Sequence, residues 1–365
     1  MHRAIPVTLL TGNQDNHGAQ LLERIQNDLD TERVTAIVPW KRKKKSKAKV
    51  GFSVVHTTER FQRLGQGCAC CTVRSDVMTK IRRIADEQTA DRIFIFVSPN
   101  SDLTILEKTF SVADADGALL SDVAELGDVS TIVDAGSFLS TLRTSAARPI
   151  IERLEQAKVA LLDGAGKLSE SVYAQVVSAI SAINQKIQIR DIKGNEILLS
   201  SLQSKTLSGA ETGQGEGPNH SGFQAVTRFT FESKAPFHPG RLHGLIKQKL
   251  ASVIRLKGTF WVASRPELVG DLDIAGGNTA VSCAGHWWAS VPPEERPKNP
   301  AFQAYLESTW HPQFGDRNQD LTLAGVGLNE AELRQALNAC LLTDDELAEP
   351  ENWMRYNDPF KWPKR

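Results

Sequence analysis

Short apolar runs alternate with helical patterns through the first half of the chain, and no other feature restricts its fold as strongly. The runs are Ile5 to Leu10, RVTAIV (Arg33 to Val38), RIFIFV (Arg92 to Val97), VSTIVDA (Val129 to Ala135), KVALLD (Lys158 to Asp163) and KIQIRDI (Lys186 to Ile192). Each is nearly continuous in apolar character, as strands covered on both faces are. Between them, Ser75 to Glu87 and Ser169 to Asn184 read as helices, with Ser75, Asp76 and Ser169 as caps. Such alternation demands right-handed crossovers. The expected fold of this half is α/β, a mostly parallel sheet with helices on both faces.

The pattern changes after Gln203 to Gly222, a Gly/Ser/Thr-rich stretch without apolar periodicity that reads as a linker. Phe223 to Ser233 alternates like a half-buried strand, and His238 to Ser252 reads as a helix with Pro239 in its first turn. VIRLKGTFWVAS, GHWWASV and DLTLAGV supply further strand candidates. Asn329 to Leu342 reads as a helix capped by Asn329, with Glu332 three residues on. With 365 residues and 41% hydrophobic content the chain can bury more than one core. The expected division is residues 1–202, a linker at 203–222, and a smaller α+β domain at 223–365.

Charge excludes some partners. Lys and Arg together number 43, as do Asp and Glu, so the whole molecule lacks a strong field for nucleic acid or membrane. KRKKKSKAK (Lys41 to Lys49) holds seven cations and no anion. It reads as a self-repelling, solvated loop, with only Trp40 beside it as a stacking platform. No apolar run approaches the roughly 20 residues that span a bilayer. MHRAIPVTLLTG runs into the first strand with no secretory h-region, so a cytoplasmic protein is expected.

Two stretches carry chemistry. LLTGNQDNHGAQLLERI, from Leu9, has the strand, loop and helix of a phosphate-binding loop. CACC places Cys68, Cys70 and Cys71 within four positions, behind Gly65 and Gly67. Clustered thiols on a Gly-rich loop suit metal ligation better than a disulfide framework. Three thiolates leave one tetrahedral position of Zn²⁺ open, as a transfer site requires, and Cu(I) also favours soft thiolates. Elsewhere, Cys283 and His286 have ligand-like spacing with His243 in the same half, but packing beside Trp287 and Trp288 is expected. Cys340 is expected in the core and His238 at a helix start, and Arg317 is placed to fork onto a carboxylate. No Ser-His-Asp arrangement or paired-carboxylate signature occurs, and no catalytic residue is assigned.

Together these features resemble the CobW family of P-loop proteins. The resemblance rests on GQGCACCTVRSDV (Gly65 to Val77), PFHPGRL (Pro236 to Leu242), RLKGTFWVASRP (Arg255 to Pro266), GHWW (Gly285 to Trp288), FGDRNQDL (Phe314 to Leu321) and CLLTDDEL (Cys340 to Leu347). It implies a P-loop NTPase-like GTPase domain followed by a smaller C-terminal domain. It also implies a role in zinc handling, with Cys68, Cys70 and Cys71 as ligands.

The chain departs from the family's nucleotide motifs. A phosphate loop needs Gly-x-x-x-x-Gly-Lys-Ser/Thr, the Lys for the phosphates and the hydroxyl for magnesium. Gly12 keeps the first glycine, but His17, Gly18 and Ala19 occupy the second-glycine, lysine and hydroxyl positions. The Asn-Glu pair after the second strand becomes PWKRKKK. Phe96 and Pro99 replace the Glu and Gly after RIFIF, and Gly166 stands for the guanine-reading Asp. A residual nucleotide site would comprise Gly12, His17, Gly18, Ala19 and Gln20, with the helix N-terminus behind it. The expected function is zinc handling or delivery with a degenerate GTP site in which Mg²⁺ and GTP have lost their ligands. Expected partners are a metal-dependent client or a related P-loop protein. A divergent GTPase drawing cations from the basic run, and a non-enzymatic scaffold, are the alternatives.

Overall fold

A computed structural model describes residues 4–12, 21–23, 25–26, 32–39, 50–57, 76–97, 110–111, 117–192, 226–248, 250 and 253–362. The linker read at 203–222 and the basic run lie outside these residues. Two compact units divide the chain. The first comprises residues 1–138, 149–173 and 186–220, and the second 139–148, 174–185 and 221–365.

The first unit holds seven strands: β1 (Ile5–Thr11), β2 (Val34–Val38), β3 (Phe52–His56), β4 (Arg92–Val97), β5 (Ala124–Asp134), β6 (Val159–Asp163) and β7 (Gln188–Asp191). Their order is β3-β2-β4-β1-β5-β6-β7, and every pairing is parallel. Strand β2 is buried along its whole length and β4 along all but its first residue. Continuous apolar runs thus mark strands covered on both faces. On one face Leu10, Ala36, Phe94 and Ile132 pack with Leu21, Leu22 and Ile25, which lie in the helical residues after β1. Helix α1 (Asp76–Asp86) buries Val77, Met78, Ile81 and Ile84, the stripe that its apolar spacing predicts. Each fully buried side chain of this size contributes about 1.5–3 kcal/mol. Strand β3 escapes the sequence reading, because FSVVH follows the cationic run and is half exposed.

Strand β1 lies between β4 and β5, and the connection from β1 to β2 runs one way along the sheet while that from β4 to β5 runs the other. In open parallel sheets the crevice outside the carboxyl end of such a strand is where ligands bind.

Four further helices follow β5: α2 (Phe138–Thr141), α3 (Ala147–Gln156), α4 (Glu170–Ile183) and, after the linker, α5 (Pro239–Gln248). The second unit is built on an antiparallel sheet of β8 (Val226–Ser233), β9 (Arg255–Phe260), β10 (Leu268–Ala275), β11 (Asn278–His286) and β12 (Gln319–Val326), in the order β11-β10-β9-β12-β8. Its core joins Phe229, Phe231, Leu256, Leu272, Leu321 and Leu323 to Leu242 and Leu245 of α5. After α6 (Pro300–Thr309), Leu333 and Leu337 of α7 (Glu330–Asn338) complete it. Pro239 is the first residue of α5, and Asn329 Oδ1 accepts from Glu332 N at 3.2 Å, as expected.

Two expectations need correction. GHWWASV is no strand: β11 ends at His286, and Trp288–Ser290 forms a 3-10 turn. Helix α7 stops at Asn338, before the expected Leu342. The β10–β11 hairpin was not expected, although Gly276 and Gly277 at its turn are the signal that marks one.

That turn packs against the unit's own 139–148 segment. A Cβ on Gly276 (φ +56°) would lie 2.2 Å from Leu142 O, and Gly277 N donates to that oxygen at 3.0 Å. Beneath it Asp273 Oδ1 accepts from Arg148 NH1 at 2.8 Å and Arg255 NH1 at 2.9 Å. Burial pushes the Asp273 carboxyl up, but the hydrogen bond and charge of Arg255, then Arg148, outweigh it and hold the pKa below its ordinary value. No helix among the described residues is long and apolar enough to cross a membrane.

Candidate functional site

Of the site residues expected in the first unit only Gly12 is described, at the carboxyl edge of the sheet. Strand β1 ends at Thr11, whose hydroxyl is buried without a partner among the described residues. Gly12 follows, buried, and a Cβ there would approach Ile132 Cβ to 3.1 Å. A small residue therefore lets the chain pass close over β5. His17, Gly18, Ala19 and Gln20 lie outside the described residues, as do Cys68, Cys70, Cys71 and Pro99.

Beside β1, strand β5 ends at Asp134. Its Oδ1 accepts from Gly136 N at 3.1 Å and its Oδ2 from Ser137 Oγ at 2.6 Å, closing the turn into α2. After β6, Gly164 adopts φ 76° and opens a 3-10 turn over Ala165–Lys167. A Cβ on Gly166 would meet nothing within 4 Å. Among the described residues nothing there restricts position 166 to glycine.

The cysteine segment is bracketed by described residues. Thr57, fully buried after β3, donates from Oγ1 to Asp76 Oδ2 at 3.0 Å. Lys80, one turn along α1, pairs with Asp76 Oδ1. The carboxylate of Asp76, read from the sequence as a cap, ties the start of α1 to the end of β3. His56, the last residue of β3, is half-buried at this same edge.

Residues 10–191 match the family model of the CobW/HypB/UreG nucleotide-binding domain, and residues 226–341 that of the cobalamin synthesis protein cobW C-terminal domain. The chain belongs to the CobW family. It is 25% identical over 405 residues to zinc-regulated GTPase metalloprotein activator 1 of Dictyostelium discoideum, covering 98% of this chain and 84% of that protein. It is 28% identical over 322 residues to a zinc chaperone of Mycobacterium tuberculosis, covering 83% of this chain and 80% of that one. Zn(II)-bound YjiA GTPase from E. coli is 15% identical with a TM-score of 0.43, over 93% of this chain and 100% of that one.

The CobW markers of the second unit pack on one another. Phe237 of PFHPGRL bridges to Val262 and Leu341. His238 opens α5: its Nδ1 accepts from Gly240 N at 3.2 Å and Arg241 N at 3.3 Å. Arg241 forks onto Glu346, NH1 to Oε1 at 3.0 Å and NH2 to Oε2 at 2.6 Å. Asp316 accepts from Trp288 N at 2.9 Å and Ala289 N at 2.8 Å, fastening GHWW to FGDRNQDL. Arg317 takes no carboxylate, contrary to expectation. It donates to the carbonyls of Pro266 at 2.6 Å and Phe314 at 3.1 Å and to Ser290 Oγ at 2.8 Å, a fork that crosslinks three loops.

The other metal candidates have structural surroundings. His243 packs edge-on to Phe360 with ring centroids 5.6 Å apart, and the Cys283 thiol donates to Gly285 O at 3.5 Å. Cys340 is in the core, where burial pushes its thiol up to about 11. No three His, Cys, Asp or Glu side chains come together as a metal site among the described residues.

The Glu346 carboxyl falls from 4.5 to about 2. The Arg241 hydrogen bond outweighs the opposing burial, and the Thr343 backbone N–H adds to it. A depressed carboxylate contributes stability above its unfolded value that is lost as pH falls toward the folded one. Wild type is expected to lose about 1–2 kcal/mol of stability between pH 4.5 and 2 that Glu346→Gln does not, after discounting for the pair's partial exposure. Urea midpoints across that range check it; parallel curves refute the role of the pair.

Proposed function

We propose that this CobW-family chain binds zinc through Cys68, Cys70 and Cys71, delivers it to a client metalloprotein, and does not turn over GTP. The observation that carries the reading is the contrast between two positions of one chain. The cysteines stand where the family's Cys-x-Cys-Cys segment stands, while Gly18 and Ala19 remove the ammonium and hydroxyl that hold phosphate and magnesium. Relatives named as a zinc chaperone and as a zinc-regulated GTPase metalloprotein activator support the zinc half. The open space at Gly166 supports the other half, because no steric demand excludes the missing carboxylate. Gly18 and Ala19 leave a Mg²⁺–GTP complex without the ammonium and hydroxyl that a phosphate loop supplies. A reducing cytoplasm is the compartment that keeps such thiols available.

Native chain is expected to take up one zinc ion from a chromophoric competitor. The Cys68→Ala, Cys70→Ala, Cys71→Ala variant is expected to take up none; equal uptake would falsify the thiolate assignment. Guanine-nucleotide turnover is measured in parallel with Mg²⁺, with and without Zn²⁺. Robust protein-dependent phosphate release identifies the divergent GTPase instead.

A further inference from the structure

The second unit holds a cavity of about 780 Å³, and every residue that lines it belongs to that unit. Small-molecule sites typically measure about 300–1,000 Å³. Leu142, Leu250, Val253 and Ile274 form its floor, each at most 6% exposed. One wall is the turn of the β10–β11 hairpin. Gly277 N donates to Leu142 O at 3.0 Å and Asn278 Nδ2 to Ser145 O at 2.8 Å, which ties this wall to the 139–148 segment. A Cβ on Gly277 would lie 2.8 Å from Arg143 O, so glycine is what lets the turn come this close.

The lining selects one kind of ligand. Among the described residues that form it there is no aromatic side chain, so a planar base finds no platform to stack on. Nor is there an Asp or Glu among them. Gln175 and Thr279 are polar but neutral. The cation of the lining is Arg143, exposed just after α2, and its guanidinium has no hydrogen bond or ion pair among the described residues. Arg148, five positions on, is already held by Asp273 at 2.8 Å. An aliphatic lining thus carries one positive charge that no lining carboxylate neutralises. Burial on the floor favours an aliphatic chain. A guanidinium fork matches a carboxylate in geometry as well as charge.

We propose that this cavity binds a straight-chain aliphatic carboxylate of the fatty-acid type. The chain lies over the floor of Leu142, Leu250, Val253 and Ile274, and the carboxylate pairs with Arg143. None of Cys68, Cys70 and Cys71 takes part.

Titration calorimetry of the full chain with monomeric decanoate tests it. The native chain is expected to bind decanoate, and affinity is expected to rise roughly fourfold per methylene from octanoate to decanoate, the gain from burying each one. Decan-1-ol and decyltrimethylammonium carry the same chain with no charge and with the opposite charge. Both are expected to bind at least about tenfold more weakly than decanoate, because neither makes a charge-assisted pair with Arg143. Arg143→Gln is expected to weaken decanoate about tenfold and to leave decan-1-ol unchanged, a split that misfolding would not produce. Leu139→Trp, which fills the cavity from a half-exposed lining position, is expected to lose both ligands. No decanoate binding by the native chain overturns the proposal. So does native decanoate affinity in Arg143→Gln or in Leu139→Trp, or equal binding of decanoate and decyltrimethylammonium.

Discussion

Asp273→Ala is expected to destabilise the second unit by about 3–5 kcal/mol, the loss seen when one partner of a buried ion pair is removed. Arg255 is 5% exposed, and its NH1 lies 2.9 Å from Asp273 Oδ1. That nitrogen also donates to the carbonyls of Leu256 at 3.2 Å and Ile274 at 3.1 Å. Those carbonyls can satisfy its hydrogen bonds but cannot neutralise its charge. Arg148 shares the same carboxylate oxygen, yet its side chain is 28% exposed and can turn to water. The variant removes the carboxylate that the Arg255 and Arg148 guanidiniums share. Arg255→Met with Asp273→Leu is expected to recover most of the loss, because well-packed apolar residues often replace a buried pair without penalty. Urea unfolding of both single variants and the double variant checks this. A loss under about 1 kcal/mol in Asp273→Ala refutes the argument.

Gly258→Ala is expected to cost a similar amount or to abolish folding of the sheet. Its φ is +153°, and a Cβ would sit 1.9 Å from Asp320 O, a backbone atom of the neighbouring strand. Gly258 pairs with Leu272 on one side and Leu321 on the other, so the strand has no free edge toward which to shift. Backbone strain and loss of the β9–β12 ladder act together, at about 3–5 kcal/mol. Gly244 supplies the contrast. It lies inside α5 with nothing within 4 Å of a Cβ, so Gly244→Ala is expected to stabilise by about 0.4–1 kcal/mol. Thermal unfolding of the two variants should move in opposite directions; equal shifts remove the steric explanation.

Most of the first unit was legible because its strands are buried on both faces and so read as unbroken apolar runs. The strand Phe52–His56 was not, since an outer strand needs apolar residues on one face only. Asp271 and Asp273 hid β10 in the same way, and β11 is a half-exposed strand of small and polar residues. GHWWASV misled in the other direction. Its tryptophans have high strand propensity, but here Trp287 is buried against Trp261 and Phe314 in a separate aromatic cluster. Of the candidate site, sequence identified the residue types and their departures from the CobW pattern. It could not foresee that Asp76 is tied to Thr57, because that bond joins positions whose proximity depends on the crossover from β3 to α1.

The strand order of the second unit has a consequence during synthesis. Strand β8 is the first of its sheet in sequence, and its only strand partner among the described residues is β12, the last. Roughly 85 residues separate Ser233 from Gln319. At about 5–20 residues per second, a nascent β8 waits on the order of 5–15 s for its partner. For that interval its backbone hydrogen-bonding edge has no strand to pair with. The ribosome-bound chain therefore passes through a stage in which chaperone capture and self-association compete for one amphipathic strand, and premature termination before β12 leaves that strand with no partner at all.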